Sequence, residues 1–141
     1  MYKRIILAID LAEPTSTPKG LTQAAELAKA GGGELRLVNV QPVMPATFME
    51  YVPVDFDVEQ ATRAKEALDA VLAAIDLPAE RKSASTRAGG IYHELLLEAS
   101  DWGADLIVVG SHRPVMSDYL LGSNAKTIVR HAQCSVLVVR E

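Results

Sequence analysis

Along the chain, short apolar runs alternate with longer stretches of helical spacing. Lys3–Ile9 (KRIILAI), Glu34–Val40 (ELRLVNV), Asp105–Val109 (DLIVV) and Ser135–Val139 (SVLVV) are rich in Val, Ile and Leu and show little polar alternation. Near-continuous apolar runs of this length predict strands buried on both faces of a parallel sheet. Lys82–Thr86 (KSAST) is polar, which suits a fifth strand at an edge. Between the runs, Leu21, Ala24, Ala25 and Ala28 follow the N-cap and first-turn pair Thr17-Pro18 and stop at Gly31–Gly33. Ala61, Ala64, Leu68, Val71, Leu72 and Ile75 form a second helical stripe closed by Pro78. Ile91, Leu95, Ala99 and Trp102 make a third, and Ile128, Val129 and Ala132 a fourth. Strands alternating with helices predict one domain, residues 1–141, built as an open, doubly wound α/β sheet with helices on both faces.

One connection breaks the rhythm of short links. Gln41–Asp57 (QPVMPATFMEYVPVDFD) carries three prolines, two methionines and three aromatic residues without a clear period. It follows the second strand at its carboxyl end, where ligands bind in sheets of this kind. It reads as a flap or partner-binding loop, or as a plain surface excursion.

The segment from Leu106 to Ala125, LIVVGSHRPVMSDYLLGSNA, carries the chemistry. A buried strand ends at Gly110-Ser111, and about a dozen residues on Gly122-Ser123 stands where the last helix should begin. Two such turns concentrate outward-pointing backbone N–H groups. With the positive end of a helix dipole they favour an anion such as a phosphate. If the chain crosses over after the third strand, the first and fourth strands become neighbours, and their carboxyl ends flank the switch point. Asp10 then faces the Gly/Ser loop. Its carboxylate could accept hydrogen bonds from ribose hydroxyls or an adenine amino group, or help hold a divalent metal. Alternatively, it caps the turn at Leu11–Thr15.

Composition narrows this only modestly. The chain has 141 residues, 49% hydrophobic and 23% charged, enough to bury roughly 68–70% of its unfolded surface without staples. A net charge of −4 and no basic block argue against a nucleic-acid binder. The apolar run in MYKRIILAID stops at Asp10, too short for a leader, and no stretch approaches a membrane span. A cytoplasmic protein is expected. Cys134, the single cysteine, excludes an internal disulfide and reads as a buried small residue rather than a nucleophile. His93 and His131 read as surface residues, His112 as a loop residue near the anion, and Arg36, Lys82 and Arg87 as scattered charges on a solvated face. No spacing resembles a zinc site.

KRIILAID, LRLVNV, ADLIVVGSHR and LLGSNAKTIVRHAQCSVLVVR together resemble the universal stress proteins over essentially the whole length. GSHRP followed by YLLGSNA resembles the small F- and G-type members, which are similar to the ATP-binding branch. The resemblance implies a Rossmann-like, adenine nucleotide alpha hydrolase-like domain with strand order 3-2-1-4-5. It also implies a homodimer joined through the last strand, Ser135–Val139. In nucleotide-binding members a Gly-x-x-Gly, nine residues and Gly-Ser/Thr wrap the phosphates of ATP. Gly110, Ser111, Gly122, Ser123 and Asn124 match that role. Val40 matches the position that packs against adenine, with Ala8 and Ile9 nearby.

Two departures stand out. Arg113 occupies the middle glycine position, and the interval to Gly122 is one residue short. Pro114 after it has no N–H to donate. The Arg113 guanidinium either replaces part of the backbone cradle or points to solvent. The binding elements are legible and a dedicated catalytic base is not, unless Asp10 serves. The expectation is therefore a stress-response sensor or regulator that binds ATP, ADP or AMP, with or without Mg or Mn, and signals to a protein partner. At most it is a slow hydrolase or self-modifying protein. The alternative is a homodimeric scaffold that binds no nucleotide.

Overall fold

A computed structural model describes residues 1–10, 18–41, 56–111 and 123–140. Five strands, β1 (Arg4–Ala8), β2 (Glu34–Gln41), β3 (Lys82–Ala88), β4 (Leu106–Gly110) and β5 (Ser135–Val139), form one sheet in the order β3-β2-β1-β4-β5. Every pairing is parallel. The helices α1 (Pro18–Gly31), α2 (Phe56–Ala73), α3 (Ile91–Trp102) and α4 (Ser123–His131) supply the crossovers.

Alternation along each strand sorts the side chains into two cores. Ile5, Leu7, Leu35, Leu37, Leu106 and Val108 pack with Ala24 and Ala28 of α1 and Leu68 of α2. Ile6, Val38, Ile107 and Val109 pack on the other face with Leu95 and Ala99 of α3 and Ala125 and Ile128 of α4. The central strands carry apolar residues on both faces, four in a row in β4 from Leu106 to Val109, because each face has its own helix layer. The edge strand β3 escapes that requirement and is polar.

Ends of elements are set locally. Gly32 takes φ +64 beyond α1, and a side chain on Gly33 would meet the Tyr2 carbonyl oxygen at 2.7 Å, so the glycine run both stops the helix and lets β1 pass. The second helix starts earlier than its stripe suggests, at Phe56, and ends at Ala73. Ile75 lies in the tightened turn beyond it, where its N–H donates to the Leu72 carbonyl at 3.1 Å, and it is still buried. The Asp105 carboxylate accepts from the backbone N–H groups of Lys3 and Arg4 at 2.8 and 3.0 Å, locking the start of β1 to β4.

Candidate functional site

Parallel crossovers place the carboxyl ends of the strands and the N-termini of α3 and α4 at one edge of the sheet. At the switch point β1 and β4 are neighbours, with Ile5, Ile6 and Leu7 level with Leu106, Ile107 and Val108. Continuing that register sets Asp10 level with Ser111. The Ile9 N–H still donates to the Val38 carbonyl, at 2.9 Å, and the Ser111 N–H to the Val139 carbonyl, at 3.0 Å. Both strands therefore run in step to the lip of the crevice.

Burial changes at that lip. Leu106 to Val109 are buried, whereas Gly110 is exposed. Ala8, Asp10, Val40 and Asn124 are half-buried. Ala8 and Val40 belong to the core face covered by α3 and α4, so they lie on the same side as the start of the last helix. Ile9 belongs to the opposite face, and at the lip it contributes backbone rather than side chain. Ser111 is wholly buried, so its hydroxyl is enclosed by protein rather than open to solvent. α4 begins at Ser123, the position expected, and its first-turn N–H groups, which have no acceptor within the helix, face this edge together with the dipole. The edge thus gathers Ala8, Asp10, Val40, Gly110, Ser111 and the first turn of α4 carrying Ser123 and Asn124. Arg113, Gly122, His112 and Pro114 lie outside the described residues, as do the turn at Leu11–Thr15, the cap Thr17 and residues 42–55 of the expected flap.

The scattered-charge reading of Arg36, Lys82 and Arg87 is overturned. Arg36 donates to Glu98 at 2.9 Å and to the Ser83 hydroxyl at 3.0 Å. Arg87 donates to Glu98 at 2.7 Å and to Glu94 at 3.0 Å, with Asp101 at 3.7 Å. The Arg36 guanidinium also lies over the Trp102 ring, 4.4 Å from its centre. Burial pushes the Glu98 carboxyl up, but Arg87 and then Arg36 outweigh it and hold the group below its ordinary value. Lys82, on the other face, caps the end of α2 through the carbonyls of Leu72 and Ile75, both at 3.0 Å. A signal for the network was present in the sequence. Arg36 sits on the inward phase of its strand, and Glu94 and Glu98 share one helix flank four residues apart. Arg87 pairs in register with Val40, so the network supports the wall of the candidate site.

Two features lie elsewhere. A groove of about 370 Å³ between α3 and α4 opens at the amino edge, lined in part by Leu96, Ala99, His131 and Cys134. It is remote from the switch point. Cys134 is half-buried rather than buried, and desolvation raises its thiol pKa, which leaves it a poor nucleophile. Among the described residues no group of three or more His, Cys, Asp or Glu is gathered for a metal, and no helix is long and apolar enough to cross a membrane.

Comparison with known proteins agrees with this architecture. Universal stress protein G of Shigella flexneri is 33% identical over 143 residues, covering 99% of this chain and 100% of that protein. The structure of the universal stress protein UspA from Lactobacillus plantarum superposes with a TM-score of 0.80 at 22% identity, covering 99% and 98% of the two chains. A universal stress protein solved in complex with cAMP gives 0.70 at 21% identity, covering 98% and 97%. The one from Archaeoglobus fulgidus in complex with dAMP gives 0.64 at 20%, covering 97% of each chain. The model of the universal stress protein family matches residues 1–140, and the chain belongs to that family.

Proposed function

We propose that this protein binds an adenine nucleotide at the switch point between β1 and β4 and acts as a nucleotide-dependent regulator in stress response. The observation that carries this reading is the convergence of the β1 and β4 carboxyl ends with the N-terminus of α4. The exposed Gly110 admits close approach of a phosphate, and the first turn of α4 supplies N–H donors. In this reading Val40 and Ala8 offer an apolar wall to the base, and the Asp10 carboxylate accepts from the ribose hydroxyls or the adenine amino group. Arg113 and Gly122 complete the phosphate contacts in this reading. Family members solved with cAMP and dAMP support adenine as the base. With Asp10 the one carboxylate at the lip among the described residues, a magnesium or manganese ion fits as a companion of the phosphates rather than as a resident of a protein cage. ATP is the favoured nucleotide, ADP and AMP the alternatives.

The protein also pairs with a second copy through β5 in this reading. Val136, Leu137, Val138 and Val139 are all half-buried on the strand that ends the sheet among the described residues, whereas Leu106 to Val109 of β4 are buried. The same edge would serve a scaffold that works without nucleotide. Calorimetric titration of nucleotide-stripped protein with ATP and magnesium separates the two. Saturable binding weakened by Asp10→Ala and Arg113→Ala supports the regulator. No heat and no thermal stabilisation at millimolar ATP would leave the scaffold.

A further inference from the structure

Tyr92 is a large aromatic residue left 43% exposed at the first turn of α3. Its flank of the helix is fixed by its neighbours. Leu96 and Ala99, one and two turns further on, line the groove between α3 and α4 together with Ile107 and His131. Residues four apart lie on one helix face, and side chains lean toward the helix N-terminus. Tyr92 therefore occupies the continuation of that inter-helix groove at the carboxyl edge. There α4 begins at Ser123, and Val40 and Ala8 form the floor on the same sheet face.

We propose that Tyr92 is a ligand-contact residue, an aromatic wall on which the planar base of the nucleotide stacks across from the Val40 and Ala8 side. The inference deepens the nucleotide reading above and rests on it. An exposed ring on a helix that covers the sheet face of Val40 and Ala8 suits a heterocyclic base, which offers a π-face to stack on whatever hydrogen bonds its edge makes. The network of Arg87, Glu94 and Glu98 ties α3, the helix that carries the ring, to β3.

The test is ATP titration of the full chain in four forms: wild type, Tyr92→Phe, Tyr92→Leu and Tyr92→Ala. Loss of the ring should weaken ATP roughly tenfold in the Leu and Ala variants, while Phe stays within about twofold of wild type. Melting temperatures should stay close across the series, since the ring belongs to neither core. Proton cross-relaxation between a tyrosine ring and adenine H2 or H8 should appear in the wild type and vanish in Tyr92→Leu. Equal ATP affinity in all four forms, or no ring-to-adenine contact in the wild type, overturns the stacking role and leaves the nucleotide reading standing. A Phe variant as weak as Ala overturns it too, by assigning the contact to the hydroxyl. Absence of saturable ATP binding in the wild type overturns the nucleotide reading itself.

Discussion

Arg87 of β3 and Glu98 of α3 are joined by a hydrogen bond of 2.7 Å between charged groups, and Glu98 is 6% exposed. The same carboxylate holds Arg36 of β2 through its other oxygen, so one acid ties a helix to two adjacent strands. A buried carboxylate is tolerated only when its oxygens are satisfied, and here two guanidinium groups do so. Under α3 these ionic and aromatic contacts thus add to the aliphatic packing of Val38 and Leu95 on the same face of the sheet.

Removing that acid should cost stability in a pH-dependent way. Because the folded Glu98 pKa is lowered, its contribution is present above the unfolded value, ~4.3, and is lost as pH falls through the folded value. Glu98→Gln should lower unfolding free energy at pH 7 by about 2–3 kcal/mol. The gap to wild type should shrink in acid. Urea unfolding followed by fluorescence of Trp102, the single tryptophan, measures both. A gap independent of pH would remove the ionic account.

Asp105 caps two backbone N–H groups of β1 at once. Asp105→Ala leaves both without that acceptor and should destabilise the fold by about 2 kcal/mol, with Asp105→Asn recovering part of the loss. Amide hydrogen exchange would localise the damage, with faster exchange at Lys3 and Arg4.

Half-buried valines on β5, the end strand of the sheet among the described residues, predict association. Val138→Asp should give monomers by light scattering, with the far-ultraviolet spectrum unchanged. A persistent dimer would place the interface on another surface.

At the lip of the crevice Gly110 is exposed and ends β4. Gly110→Val adds bulk where a phosphate would approach and should weaken ATP binding at least tenfold while shifting the melting temperature little. Undiminished binding would move the phosphates away from β4.

Most of the architecture was legible from the order of residues alone. β1, β2, β4 and β5 announced themselves as aliphatic runs because a strand covered on both faces tolerates apolar side chains at every position, and that pattern is local. Helix ends at Gly31–Gly33 were equally plain, since a positive φ and a close strand leave room for glycine only. Asp10, Gly110 and the Ser123 start of α4 could be placed near one another once the crossover was inferred. What the sequence left open was set by contacts between residues distant in the chain. Arg36, Arg87 and Glu98 are ordinary surface types until β2, β3 and α3 bring them within hydrogen-bonding distance across up to 62 positions. Ile9 and Ala8 likewise differ only in strand phase, and the sheet with its two helix layers decided which side chain faces the last helix and which is turned away. Periodicity is written in neighbouring residues, whereas pairing and facing depend on which segments the folded chain brings together.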